Sequence, residues 1–169
     1  MSKQKFINTE IWILTFGGGL QRANVYKANT NESERKAFRK EIAEFIEFKL
    51  LPDYTSKVET QEHVSNIEAI IRESAEFESI LNGCKLRFGV AQKILNLFLK
   101  YQWCLGNIHE PPHFPVDRII QTKIKSKDIV NWTEMDSAEE YLKIIELLRD
   151  RIGDKSSLAK WELENFDRN

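Results

Sequence analysis

Residues 90–105 read VAQKILNLFLKYQWCL, and this stretch decides the fold class. Apolar side chains recur in it at helical spacing: Ile94, Leu97, Phe98, Tyr101 and Leu105. Because the segment is apolar almost all round, we expect a helix in the centre of the fold. Gly106 follows directly and is expected to end this helix.

Further helices are predicted on both sides of the central one, over residues 34–50, 61–81, 117–125, 137–152 and 158–166. Asn31 or Ser33 supplies a cap for the first of them, and Ser137 with Glu140 forms a capping box for another. The chain contains no repeat or long linker. Six or more helices with short connections predict an all-α, compact single-domain helical globule over residues 1–169.

Two segments are less regular. Residues 6–16, FINTEIWILTF, fit a short strand or a buried helix equally well, and the glycines at 17–19 are expected to break whichever forms. Residues 109–115 contain three prolines and predict an ordered, extended loop.

The composition is that of an ordinary globular protein, with 41% apolar and 30% charged residues. Cys84 and Cys104 lie in apolar surroundings and are expected to be buried free thiols. The N-terminal residues contain no apolar signal segment, and no apolar run approaches the length of a membrane span. We therefore expect a cytoplasmic protein with no membrane partner and no cofactor.

Charge is distributed unevenly along the chain. Residues 85–127 carry eight basic and two acidic side chains, a net charge of +6, whereas the segments before and after carry −2 and −5. A basic segment of this kind is typical of a surface that contacts phosphates, and a solvated helix face is the alternative interpretation.

The basic segment also holds a pair of residues at an informative spacing. Gly89 and Lys93 stand at the start of the central helix, and Asp117 stands 24 residues after Lys93, at the start of the next helix. A glycine turn at a helix start lets backbone N–H groups approach a phosphate. An aspartate there can cap its helix and keep one oxygen available. Asp117 as a cap alone and Lys93 as a surface lysine are the plain alternatives.

This pattern resembles the helix-hairpin-helix/GPD superfamily of DNA glycosylases, in which a Leu-Pro-Gly-Val-Gly-x-Lys-Thr-Ala hairpin is followed by Val-Asp at a helix N-terminus. Gly89, Val90 and Lys93 align with the hairpin, and residues 116–117 align with Val-Asp. The resemblance implies a helix-hairpin-helix element within residues 85–127. It also implies that Lys93 attacks C1′ of the target nucleotide while Asp117 assists. Ala91 replaces the second hairpin glycine.

Such an enzyme must grip the DNA backbone and hold a flipped base against aromatic or polar side chains. The candidate DNA contacts are Lys85, Arg87, Gly89, Ala91, Gln92, Lys100, Arg118 and Lys123. The candidate base-pocket residues are Trp103, Asn96, Phe114 and His113. Aromatic residues more often belong to a core than to a pocket, and polar ones more often lie on the surface.

Residues 109–113 match the sequence of the H-E-x-x-H zinc motif but not the helical structure that this motif requires. Residues 109–113 read HEPPH, but the zinc chemistry needs both histidines one turn apart on a helix, and two prolines forbid that helix. Ligation by Cys104, His109 and His113 from a loop is the remaining route. We expect no metal site.

The leading hypothesis is a DNA glycosylase that excises a damaged or modified base, including a modified base of phage DNA, with AP-lyase capacity through Lys93. One alternative is a non-catalytic helical module that grips phosphates, whose affinity would fall steeply with salt. The other is a protein-interaction domain that works through the acidic flanks. DNA is the expected partner, and no obligate protein partner is inferred.

Overall fold

The computed structural model describes residues 2–123 and 129–166. Its helices are α1 (Lys3–Leu20), α2 (Glu32–Phe45), α3 (Thr60–Ser74), α4 (Phe88–Cys104), α5 (Arg118–Lys123), α6 (Ala138–Ile152) and α7 (Leu158–Asn165). Shorter π and 3₁₀ turns are Ile46–Leu50, Leu51–Thr55, Ala75–Phe77 and Gly153–Lys155. Within the described residues no strand forms, and one isolated bridge joins Tyr26 to Leu81. The predicted all-α fold is confirmed.

Helix α4 is the centre of the fold, as its sequence predicts. Ile94, Leu95, Phe98 and Leu99 are fully buried, and α1, α3 and α6 all pack against it. Most of the polar side chains of α4 are also buried, because a helix that is covered on all sides has no face left for solvent. The polar groups of α4 must therefore find partners inside the protein.

The glycines at 17–19 do not break α1, and the prediction of a break there is wrong. Added Cβ atoms at Gly18 and Gly19 would lie 2.8 Å from Leu97 Cδ1 and 2.7 Å from Ile94 Cγ1. Two of the glycines therefore let the backbone of α1 approach α4 closely, and the helix continues to Leu20. The segment that fitted a strand or a helix is part of this helix.

The predicted helix caps at Asn31 and Ser137 are confirmed. Asn31 begins α2 with a capping box formed with Glu34, and Ser137 begins α6 with a capping box formed with Glu140. The predicted helix over 61–81 is too long. It ends at Ser74, whose hydroxyl accepts a hydrogen bond from the Leu86 backbone at 2.9 Å and so fixes the following turn.

The other boundaries are close to expectation. Helix α5 occupies the start of the predicted segment 117–125, and residues 124–125 lie outside the described part. Residues 109–115 form no helix, as their prolines predict. Both cysteines are free, but both are exposed, so the prediction of buried thiols is wrong. Cys84 lies in a turn with φ of 67°, and Cys104 is the last residue of α4. Over the described ranges, no helix combines the length and apolar character needed to cross a bilayer.

A pair of glycine substitutions tests the packing described above. A Cβ at Gly89 would lie 1.7 Å from the carbonyl oxygen of Trp132, and backbone cannot rotate away as a side chain can. We expect Gly89→Ala to lower the free energy of unfolding by about 3 kcal/mol or more. Denaturant unfolding followed by circular dichroism measures this change.

Gly17→Ala is the matched control, because its Cβ would meet nothing within 4 Å. It should raise the free energy of unfolding by about 0.5–1 kcal/mol, since alanine favours a helix over glycine. Equal effects of the two substitutions would contradict the packing of Gly89 against the Trp132 backbone.

Candidate functional site

The candidate site is organised by the side chain of Gln92 on α4. Its Nε2 donates to the Val116 carbonyl oxygen at 2.8 Å, and its Oε1 accepts from the Val116 backbone N–H at 3.2 Å. Gln92 and Val116 are both fully buried. Two hydrogen bonds from one side-chain amide fix the position and the direction of the backbone that leads into α5.

This clamp places Asp117 beside Lys93. Asp117 Oδ1 accepts the Ile120 backbone N–H at 3.0 Å and caps α5, while Oδ2 accepts from Lys93 Nζ at 2.7 Å. Capping and pairing therefore use different oxygens of the same carboxylate, as the sequence predicts. The structure brings together the two residues that the sequence singled out as the reacting pair.

The pair is largely enclosed. The side chains of Lys93 and Asp117 are 10% and 18% exposed, and Lys93 Nζ lies 4.6 Å from the centre of the Trp132 ring. An ammonium over an indole face at this distance makes a favourable cation–π contact. Trp132 is itself 7% exposed, so it shields the ammonium from solvent.

A second ion pair lies two helical turns further along α4. Lys100 Nζ is 2.7 Å from Glu162 Oε2, and both side chains are nearly buried. Lys100 Nζ also lies 3.9 Å from the centre of the Phe166 ring. Burial raises the pKa of Glu162 although Lys100 opposes the shift, and the charges of Lys93 and Asp117 act on it as well. The two ion pairs therefore form one electrostatic cluster.

The start of α4 does not offer its backbone to a phosphate, which corrects the predicted role of Gly89. The Gly89 N–H donates to the Met135 carbonyl oxygen at 2.9 Å, and its Cα lies against the Trp132 backbone. The glycine is needed here for close packing within the protein.

The other predicted DNA contacts divide into two groups. Ala91 and Gln92 are fully buried and Lys100 is paired with Glu162, so none of the three faces solvent as a DNA contact must. Lys85, Arg87, Arg118 and Lys123 are exposed. Of the exposed group, Arg87 lies 3.7 Å from Asp136, and Lys123 donates to the Asn165 carbonyl.

The predicted base-pocket residues do not line one opening. Asn96 and His113 are buried and bonded to Tyr141, while Phe114 is a buried core residue. Trp103 is half-buried against the core. The residue that lies over Lys93 is instead Trp132. The assignment of Asn96, His113 and Phe114 to an accessible pocket is wrong for this conformation, because their polar atoms and rings are used inside the core.

His63 and His113 form a buried pair that is connected to the candidate site by hydrogen bonds, and the sequence interpretation missed this pair. His63 Nδ1 is 2.8 Å from the Tyr54 hydroxyl, and His113 Nδ1 is 2.9 Å from the Tyr141 hydroxyl. The two imidazole rings meet edge to face with centres 4.9 Å apart. The spacing of His63 with Ile67 and Ile70 on α3 is the signal that could have placed it in the core.

Both histidines are neutral near neutral pH. Burial lowers the pKa of His63 to about 3. Burial, with smaller electrostatic contributions from His63 and Arg149, lowers the pKa of His113 to about 2. Asn96 Nδ2 bonds both Tyr141 and Gln92, each at 3.2 Å. Neutral His113 is therefore linked through Tyr141 and Asn96 to the clamp that orients Asp117.

No metal centre is evident in the described ranges, where no three histidine, cysteine or acidic residues are grouped as ligands. His109 is exposed, whereas His113 is buried with one ring nitrogen near Thr60 and the other near Tyr141. His109 and His113 therefore point into different environments, and the HEPPH segment does not assemble a site.

The arrangement can move a proton between Lys93 and Asp117 directly, because one hydrogen bond joins them. A carboxylate held by a helix cap also presents a fixed negative charge to any cation that develops beside it. Comparisons with known proteins add no relative: no protein-family model matches the chain, and no curated protein or solved structure matches it.

The histidine pair predicts how stability depends on pH. The folded-state pKa values of His63 and His113 lie below the unfolded value of about 6.5, so the unfolded chain binds more protons between these limits. The free energy of unfolding should therefore fall as the pH falls from about 7 to about 5. Each histidine should contribute about 1 kcal/mol per pH unit to the slope of the free energy of unfolding against pH.

Urea unfolding at several pH values measures this slope. His63→Gln and His113→Gln should each reduce it. His109→Gln is the matched control, because His109 is exposed and is the third of the three histidines. A slope that is unchanged in both buried-histidine variants would show that other groups set the acid sensitivity.

Proposed function

We propose that the protein is a DNA glycosylase that removes a damaged or modified base and uses Lys93 and Asp117. The observation that carries the proposal is the 2.7 Å contact between Lys93 Nζ and Asp117 Oδ2, at a helix start and with both side chains mostly enclosed. An amine nucleophile needs a nearby group that can take its proton, and Asp117 is in hydrogen-bond contact. The family resemblance assigns the same two residues.

The reaction begins with transfer of one ammonium proton from Lys93 to Asp117. The neutral amine then forms a bond from Nζ to C1′ of the target nucleotide as the C1′–base bond breaks. The departing base takes the bonding electron pair and the proton that Asp117 accepted, so Asp117 is again a carboxylate as positive charge develops on the sugar. A proton then passes from Nζ to the ring oxygen as the C1′–ring oxygen bond opens, which leaves an iminium on Lys93. Water hydrolyses this iminium to an abasic site and free enzyme.

Asp117 has a second role in this proposal. Positive charge develops on the sugar as the base departs, and a fixed carboxylate stabilises it. The Ile120 N–H holds Oδ1 in place, so the carboxylate needs little reorganisation. This electrostatic effect is available whether Lys93 or a water molecule attacks C1′.

Access to the pair depends on Trp132. Its ring covers the Lys93 ammonium, so a nucleotide can reach Nζ only after the ring moves aside. The exposed cations Lys85, Arg87, Arg118 and Lys123 remain the candidates for phosphate contacts. A flipped base then needs one flat surface to stack on, and the displaced indole would supply it.

Borohydride trapping tests the amine chemistry. The protein is incubated with labelled duplexes that contain oxidised, alkylated or uracil bases and with modified phage DNA, and it is reduced during the reaction. We expect a covalent protein–DNA adduct that disappears in Lys93→Gln and weakens by at least about 100-fold in Asp117→Asn. Lys155→Gln, at an exposed lysine that is not among the candidate DNA contacts, should retain the adduct.

Melting temperatures are measured for all variants, because removing one member of an enclosed ion pair can destabilise the fold. Abasic sites that depend on Asp117, without an adduct, would assign the attack to water and remove Lys93 as nucleophile. Neither adduct nor abasic sites in folded wild-type protein would overturn the proposal. Binding of DNA that weakens with salt would then favour the non-catalytic module.

A further inference from the structure

An open groove of about 910 Å³ runs between α1 and α2, away from the Lys93–Asp117 pair. Trp12, Ile13, Phe16 and Leu20 of α1 form one wall, and Val25 and Tyr26 close one end. Apolar grooves of this size on a folded domain usually receive a ligand or a partner.

The opposite wall is basic. Arg35, Lys36, Arg39 and Lys40 of α2 line the groove, and none of its lining residues is acidic. Glu32 pairs with Arg39, and Glu44 lies 3.7 Å from Lys40, but the structure describes no ion pair for Lys36. The groove is therefore apolar along one side and positively charged along the other.

A glycine on the apolar wall is not explained by the fold. Gly17 lies in the last turn of α1, and within a helix glycine costs up to about 0.5–1 kcal/mol relative to alanine. Unlike Gly18 and Gly19, it packs against nothing, since an added Cβ would meet no atom within 4 Å. Gly17 lines the groove, so the space beside its backbone is open to an incoming chain.

Large apolar side chains also remain exposed on α1. Ile13 is 60% exposed at the groove, and Phe6, Ile7 and Leu14 are exposed elsewhere on the same helix. Helix α1 therefore has apolar residues on the side that packs on α4 and on the sides that face out. Such a helix is typical of a surface that a partner covers.

We propose that this groove binds an acidic amphipathic helix of a partner protein. From Thr9 to Leu20 the groove follows α1 for about 16 Å, the length of about three turns of a docked helix. Leucine-like side chains spaced at i, i+3, i+4 and i+7 fit the apolar wall, and carboxylates on one flank meet the basic wall. Because the four cations extend over more than one turn of α2, they match several anions better than the single head group of a lipid.

The site does not depend on the glycosylase chemistry, because neither Lys93 nor Asp117 lines the groove. The probe is a fluorescein-labelled synthetic helix of about 14 residues, with leucines at the stated spacing and glutamates beside them. Binding is measured by anisotropy with the full chain. A peptide with lysine in place of every glutamate and a scrambled acidic peptide are the ligand controls.

We expect the acidic peptide to bind and both control peptides to bind at least about tenfold more weakly. Lys36→Glu/Lys40→Glu and Ile13→Glu, all at exposed positions, should each weaken binding by at least about tenfold. Lys155→Glu/Lys160→Glu changes the net charge equally outside the groove and should leave the affinity unchanged. Gly17→Ala should raise the melting temperature and yet weaken binding, which a purely structural glycine would not do.

Three results would overturn the proposal. The first is no binding of the acidic peptide to folded protein, and the second is equal affinity in the groove variants and the Lys155→Glu/Lys160→Glu control. The third is a preference for another ligand: if dodecanoate or a single-stranded oligonucleotide binds in a Lys36/Lys40-dependent way and the peptide does not, the groove is a site for that ligand. Each result leaves the borohydride experiment on Lys93 unaffected.

Discussion

The two hydrogen bonds between the Gln92 side chain and the Val116 backbone are the constraint on which the candidate site depends. They join α4 to a segment 24 residues later, in a place that water does not reach. Val116 could not lie there with its N–H and C=O unpaired, since an unsatisfied buried peptide group costs about 1–3 kcal/mol. The fixed Val116 leads directly into Asp117, which lies at the start of α5 and beside Lys93.

The same packing that builds the pair also covers it. Gly89 brings the Trp132 backbone against α4, and the Trp132 ring then lies over Lys93. Both contacts of the Lys93 ammonium favour the closed arrangement. A charge removed from water needs a counter-ion, here Asp117, and the Trp132 ring adds a cation–π contact. An enzyme that worked with this pair would have to displace the Trp132 ring at each turnover, whereas a structural ion pair would keep it in place. A resting catalytic site and a purely structural ion pair would therefore share this closed geometry. A test for reaction with DNA distinguishes the two.

Sequence patterns predicted the parts of the structure that local rules decide. The caps at Asn31 and Ser137, the central helix and the double role of Asp117 follow from residue type and spacing. The continuous α1 was missed because glycine has two uses, turning a chain and admitting a neighbouring helix, and only tertiary contact shows which applies. The phosphate and pocket roles of Gly89, Ala91, Gln92, Lys100, Asn96, Phe114 and His113 failed for one shared reason. Five of them lie on α4, which neighbouring elements cover, and Phe114 and His113 are buried in the core. Their polar groups bond within the protein.

The net charge of a sequence segment also gave no sign of the basic groove wall on α2. Residues 1–84 carry a net charge of −2, which directs attention to the basic segment that follows them. Yet every charged residue that α2 contributes to the groove wall is basic, while Glu34 and Glu41 of the same helix are exposed and line no part of the groove. A helix distributes its charges around its circumference, so a sum along the chain averages surfaces that face in different directions. A partner helix in the groove would meet the four cations of the α2 wall directly, although Glu32 pairs with Arg39 and Glu44 lies near Lys40. For that encounter the charge of the wall matters more than the sign of the segment.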